Sequence, residues 1–463
     1  MGRFICARVL ARPRAPRVQR PPVNVDARYD GSMTADRDRT AAIGWARSPL
    51  VLWIGLAAAH AIVIIAAFLG PGIPLGDVTY IYPEWVRPAL DGGYVVGIDG
   101  PWVYPIVAII PLLLAGVAGI PAYGAVWLGL VIVFDAVAFG ILIGWGGRPA
   151  RRHRAAWWWL AFIALLGPIS LSRIDAVTVP LAIVALLFVA GRPRLAAVLL
   201  AIATWIKVWP AALIGALVIA SRRRMRVLIA VVGTSAAIVL VALVLGAGAN
   251  VFSFIGDQTE RDLQIEAPAS IPWLWLAAAR VGDARIFYDH ALNTFEVAGA
   301  GTQVAAAIMT PLLAVVVLAV AALGVRAVLS GGQFVRVFPP LALGFVMAFI
   351  AVNKVGSPQY LCWIAAPVIL GLLYRGRHWR APATMALVLA GLTQVIYPFF
   401  YGALLAAEPM IVAVLTLRNL LEVVLLVWCA VALWSAGSHS STAVRRAGSV
   451  WKSGDASLER AAD

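Results

Sequence analysis

Lysine is almost missing from this chain. Of its 37 basic residues only three are lysine: Lys207, Lys354 and Lys452. Cysteine is as scarce. Cys6, Cys362 and Cys429 are too few and too scattered for a disulfide framework or a zinc site. The five histidines, His60, His153, His290, His378 and His439, form no ligand cluster, so no metal is expected. Charge of either sign is thin, at 13% of residues, where a soluble chain carries about 25%. No P-loop, Rossmann glycine pattern, HExxH or GxSxG stands in a suitable context. These absences exclude a nucleotide-driven pump. No soluble stretch is large enough for a cytoplasmic catalytic domain.

What is present is apolar. The chain is 62% hydrophobic, with mean hydropathy +0.89. That composition belongs to a polytopic membrane protein, all-α in class. Apolar runs of membrane-crossing length are expected near 50–69, 124–145, 155–171, 176–190, 194–206, 209–221, 225–247, 303–325, 337–352, 360–373, 382–400 and 409–434. This predicts a helical bundle of about twelve spans. Residues 103–119 are read as a re-entrant or interfacial hairpin. Three regions follow: a basic, disordered cytoplasmic tail at 1–47, a membrane domain at 48–435, and a disordered cytoplasmic tail at 436–463. Met33, opening "MTADRDRT", reads as an alternative start.

Arginine sets the orientation. The loops at 147–154, 191–194 and 221–226, the pair Arg326 and Arg336, and the loop at 375–380 are rich in arginine and hold no acid. By the positive-inside rule they are cytoplasmic. The net charge of +15 therefore needs no nucleic-acid partner. The opposite loops are acidic. Residues 70–102 carry Asp77, Glu84, Asp91 and Asp99 against Arg87, and 250–302 carry seven acids against three arginines.

The polar residues at the outer ends of the apolar runs are the candidates for function. "PLGDVTYIYPEW" (74–85) sets Asp77 just beyond the first run, beside Tyr80 and Glu84. Lys207 in "TWIKVWPA" and Lys354 in "VNKVGSPQY" stand on the side that positive-inside sorting disfavours. A cation kept there suggests an anionic partner. Snorkelling of a long side chain explains either lysine taken alone. "LSRIDAV" adds Arg173 and Asp175, which a local ion pair at a turn would also explain. "DQTERDLQIEAPAS" adds Arg261 and Glu266, which a solvated loop would also explain. Arg418 and Glu422 stand at i, i+4 in the last run.

An acidic first external loop, Tyr104-Pro105 opening an apolar segment, Lys207-x-x-Pro210, and "KVGSPQY" before a late run together resemble the family 87 glycosyltransferases. The resemblance covers about residues 50–435. Where that family often shows Tyr-Pro-Pro this chain has Tyr104-Pro105-Ile106, and where it often shows Gly-Gln-x-Asn this chain has Ser172-Arg173-Ile174-Asp175.

The resemblance implies a GT-C-like fold in the cell membrane, with the site on the extracytoplasmic face. It implies transfer of a sugar, mannose in the typical members, from a polyprenyl-phosphate donor to a glycan or glycolipid acceptor. The partners would then be those two substrates and the surrounding lipid, with no further cofactor. Asp77 would be the general base. Lys207, Lys354, Arg261 and Arg173 are the candidates for the donor phosphate. Tyr80, Glu84, Asp99, Tyr104, Asp175, Glu266, Gln359 and Tyr360 are the candidates for sugar or acceptor. The competing class is a transporter or flippase of an anionic or lipid-linked substrate, for which Arg418 and Glu422 are the best feature. No internal repeat supports it.

Overall fold

A computed structural model of the chain describes residues 48–146, 150–258, 262–290 and 293–459. The expectations for the N-terminal tail and for Arg261 lie outside the described residues. The described part is almost wholly helical. Among the described residues seven helices are long and apolar enough to cross a membrane: Pro49–Leu69 (α1), Ile120–Ile143, Arg224–Val244, Thr302–Leu329, Phe334–Ala351, the interrupted stretch Pro358–Phe399, and Pro409–Gly437. A helix of 21 residues such as α1 rises about 31 Å, which matches the roughly 30 Å hydrocarbon core.

The remaining expected spans are helical but short. After the helices Tyr82–Leu90 (α2) and Ile109–Ala115 (α3) come Tyr123–Ile143 (α4) and Ala150–Leu166 (α5). Next stand Asp175–Phe188 (α6) and Pro193–Ile206 (α7), of 14 residues each, and Ala211–Ala220 (α8), of 10. At 1.5 Å per residue α6 and α7 reach about 21 Å and α8 about 15 Å. By length and composition seven of the described helices qualify as spans, and a count of about twelve would also need the shorter helices to cross. The segment Ile106–Ala115 is likewise a short apolar helix.

Burial separates centre from rim. Arg224–Val244 (α9) and Thr302–Leu329 (α11) are 11% and 17% buried in their apolar windows, whereas Phe334–Ala351 (α12) is 78% buried. Helix α12 is the central post, and α9 and α11 present apolar side chains to their surroundings. Lipid tails are as apolar as leucine, so close packing has to hold such a bundle. Small residues allow it. A Cβ on Gly324 of α11 would stand 2.7 Å from Leu341 of α12, so only glycine lets these two helices cross so closely.

The last helices are Ala365–Arg375 (α13), Arg380–Gln394 (α14), Tyr401–Leu405 (α15) and Pro409–Glu459 (α16). The helical path of α16 thus runs on beyond residue 435. A buried polar bridge ties α1 to α4, where His60 Nε2 lies 3.0 Å from Asp135 Oδ2.

An all-helical reading misses one element. Between the short helix Ile271–Ala278 (α10) and α11, strands Arg285–Asp289 (β1) and Thr294–Ala298 (β2) form an antiparallel hairpin. Their aromatic and β-branched residues suit a pleated, half-covered ribbon. Apolar periodicity tuned to membrane helices does not detect five-residue strands.

Candidate active site

Three stretches far apart in sequence close around one cavity of about 380 Å³. The first loop contributes Asp77, Trp85 and Tyr104. The hairpin region contributes Gln264, Glu266 and Phe295. The turn after α12 contributes Ser357 and Gln359, and Arg173, Tyr397 and Tyr401 complete the wall.

Local backbone explains how these stretches meet. The segment 263–267 is stitched to both neighbours: Gln264 N–H donates to Lys354 O at 3.0 Å, Ile265 N–H to Phe295 O at 3.2 Å, and Val297 N–H to Leu263 O at 3.0 Å. Gly356 lies so close to the Glu266–Ala267 backbone that an added Cβ would collide with it. The glycine of "KVGSPQY" is thus the point where two loops touch.

Asp77 opens a π-helical turn, Asp77–Ile81, and its side chain is 30% exposed. Its Oδ2 lies 3.1 Å from Arg173 Nε. Its Oδ1 has no hydrogen-bond or ion-pair partner among the described residues, and Asp77 lines the cavity. Arg173 is nearly used up as a donor. Nη1 donates to Pro74 O at 3.0 Å, Ser172 O at 2.9 Å and Ser172 Oγ at 3.2 Å, and Nη2 donates to the Tyr397 hydroxyl at 3.3 Å. Burial by itself would discourage its charge, but Asp77 and Tyr397 outweigh that and hold it firmly protonated. An arginine so engaged fixes the position of Asp77.

Lys207 and Asp175 form the layer behind. Lys207 follows α7 directly, and Nζ lies 4.0 Å from Asp175 Oδ2 and 4.4 Å from the Tyr104 ring centroid. Asp175 begins α6, is fully buried, and accepts from Trp363 Nε1 at 2.6 Å. Tyr360 stacks on Trp363 at 4.2 Å, and Trp363 on Trp209 at 5.7 Å. Tyr360 therefore supports Asp175 from below and does not line the cavity. Tyr104 does line it and packs in a triangle with Trp85 and Trp102, with centroids 5.5–5.6 Å apart. Burial raises the pKa of its phenol, and Lys207 partly offsets that.

Glu266 reaches the cavity and is also anchored from behind. Its Oε2 accepts from Arg418 Nη1 at 3.1 Å, and its carbonyl accepts from Nη2 at 2.7 Å. Arg418 also holds Asn419 Oδ1 and lies 3.6 Å from Glu422 Oε1. Burial pushes the Glu266 carboxyl up to about 7, and Arg418 opposes the rise. Two of the contacts of Arg418 thus run to the 262–267 loop, so it ties that loop to α16.

Other expected residues stand apart from the cavity. Tyr80 is 60% exposed. Glu84 makes an exposed pair with Arg87 at 3.4 Å. Asp99 Oδ2 caps its own turn by accepting from Val95 N–H at 2.7 Å. Lys354 is half-buried and is not part of the cavity wall; its carbonyl serves the loop stitch. Tyr397, Tyr401 and the hairpin residues were not anticipated. The sequence did carry a signal for the tyrosines, because "YPFFY" (397–401) is aromatic and follows an apolar run at the same outer end. Among the described residues no three His, Cys, Asp or Glu side chains gather as a metal site.

Compared with known proteins, residues 102–261 match the family model of glycosyltransferase family 87. No curated protein and no solved structure matches the chain. The matched stretch holds Tyr104, Arg173, Asp175 and Lys207; Asp77, Glu266 and the 354–360 turn reach the same region from outside it.

Proposed function

From the family 87 match, which supports a membrane glycosyltransferase, we propose that this chain moves a sugar from a polyprenyl-phosphate donor to a glycan or glycolipid acceptor. The transfer takes place on the extracytoplasmic face of the cell membrane, within a GT-C-like bundle of about twelve spans. The observation that carries this reading is the cavity itself. A part-exposed carboxylate with one unpartnered oxygen and a set of aromatics line it, and a half-buried lysine stands behind them, at the end of the bundle opposite the arginine-rich loops. Helices α6 and α7 are short, so Arg173, Asp175 and Lys207 are recessed where a lipid-borne phosphate would sit.

The chemistry needs few groups. The acceptor hydroxyl oxygen attacks the anomeric carbon from the face opposite the phosphate. The bond from that carbon to the phosphate oxygen breaks, and its electron pair leaves on the phosphate. The hydroxyl proton passes to Asp77 Oδ1. Phosphate is already a good leaving group, so one carboxylate suffices, unlike the two of glycoside hydrolysis. The configuration inverts. Lys207, with the remaining donor capacity of Arg173, stabilises the charge that grows on the phosphate. Glu266, Gln359 and Tyr397 present polar groups to sugar or acceptor, and mannose is the sugar the family pattern suggests.

The test is transfer of labelled sugar from a synthetic polyprenyl-phosphate-hexose by the purified chain in lipid. Asp77→Asn is nearly isosteric and still accepts from Arg173. Its turnover should fall by about 100- to 10,000-fold, the usual contribution of a positioned base. Asp99→Asn should leave turnover nearly unchanged. Near-normal transfer by Asp77→Asn would end the claim for this base. Transfer from nucleotide sugars alone would end the claim for the donor.

A further inference from the structure

A second cavity lies at the other end of the same helices. Helix α13 ends and α14 begins there, and α5 starts beside them. The space is about 390 Å³ and is lined by Arg154, Arg375, Arg377, Arg380 and His378, with no carboxylate. None of the four guanidiniums donates a hydrogen bond or forms an ion pair among the described residues. Neighbouring arginines behave differently. Arg152 caps the end of α4 by donating to Ile141 O at 3.2 Å and Leu142 O at 3.0 Å, and Arg326 donates to Trp434 O at 3.1 Å. Arg336 acts on Arg375 with further positive charge.

Membrane orientation accounts for arginine on this face. It does not account for four of them converging on one concavity from two separate segments. Like charges repel, and an anion between them would relieve that repulsion. A guanidinium presents a planar fork of donors that matches a phosphate in bidentate fashion.

We propose that the cavity of Arg154, Arg375, Arg377 and Arg380 binds a phosphate oxyanion, delivered as the headgroup of an anionic lipid in the facing leaflet. Basic pockets between membrane helices are suited to such headgroups. This site is independent of the sugar-transfer reading.

The full chain is placed in phosphatidylcholine nanodiscs containing phosphatidylglycerol, and the anionic lipid retained after detergent extraction is counted by native mass spectrometry. The variant Arg154→Gln/Arg375→Gln/Arg377→Gln/Arg380→Gln should retain it about tenfold or more weakly, since it removes every guanidinium that could make a charge-assisted contact in the cavity. The control Arg192→Gln/Arg194→Gln/Arg224→Gln/Arg226→Gln removes equal charge from the same face outside the cavity. It should stay within about twofold of the parent. Equal loss in both, or loss in neither, overturns the proposal.

A second arm uses phosphatidylcholine alone with added inorganic phosphate. Thermal stabilisation of the parent but not of the cavity variant, without lipid retention, keeps the oxyanion site and makes its ligand the free ion. If the fourfold variant fails to fold, Arg377→Gln alone, at an exposed position, must show a partial loss of lipid; retention equal to the parent then overturns the proposal.

Discussion

The two ends of this bundle use cations in opposite ways. At the end that holds the candidate site three cations each have a carboxylate: Arg173 has Asp77, Lys207 has Asp175, and Arg418 has Glu266 and Glu422. At the opposite end Arg154, Arg375, Arg377 and Arg380 face a cavity that has none. The difference is one of purpose. A buried cation with a fixed partner holds distant segments in register, as Arg418 holds the 262–267 loop to α16. An unpaired, exposed arginine holds nothing in the chain, and its charge is left for the membrane field or for a ligand.

The largest test of this contrast is Arg418→Met. It leaves Glu266 and Glu422 buried without their cation, a loss of about 3–5 kcal/mol when one partner of a buried pair is removed. Thermal unfolding in lipid should show a large drop, partly restored by adding Glu266→Gln. Exposed Arg377→Gln should cost less than about 0.5 kcal/mol. Equal effects at the two positions would erase the distinction between the ends.

A smaller effect sharpens the contrast within the outer end. Lys207→Met removes the ammonium beside Asp175 and Tyr104, and a charge-assisted contact to phosphate is worth roughly 1.5–3 kcal/mol. Transfer efficiency should fall about tenfold or more. Lys354→Met, away from the cavity wall, should remain within about twofold, because the contact it makes to Gln264 is through its backbone. A collapse with Lys354→Met and none with Lys207→Met would move the phosphate site to the 354 turn.

The smallest effect concerns pH. In the folded chain burial pushes Glu266 up from 4.5 to about 7, with Arg418 opposing. Between those values the folded state binds the proton that the unfolded state has lost. Stability should therefore fall as pH rises from about 4.5 to about 7. Glu266→Gln cannot titrate and should flatten that part of the melting-temperature profile. An unchanged slope in Glu266→Gln would remove Glu266 from the account.

Much of this molecule was legible before any coordinates. Membrane class follows from hydropathy alone, because each apolar run answers to the bilayer on its own. The arginine-rich and acidic loops sort by a sign rule that needs no neighbours. Searching the outer ends for polar residues brought up Asp77, Arg173, Tyr104, Glu266 and Gln359, and all five line the cavity. The same search brought up Tyr80, Glu84 and Asp99, which do not line it, because one-dimensional position does not say which side of a turn a side chain occupies.

The sequence by itself determined the solvent of the fold, its helical class and the end at which its candidate polar residues gather. Only the tertiary structure decided the pairings. Asp77 and Arg173 stand 3.1 Å apart although 96 positions separate them, and Arg418 reaches back 152 positions to Glu266 as well as four ahead to Glu422. It also raised the hairpin and Tyr397 into the wall and moved Lys354 out of it. The reason is physical. Hydropathy and loop charge are sums over local residues, whereas an ion pair depends on how separate helices are packed side by side.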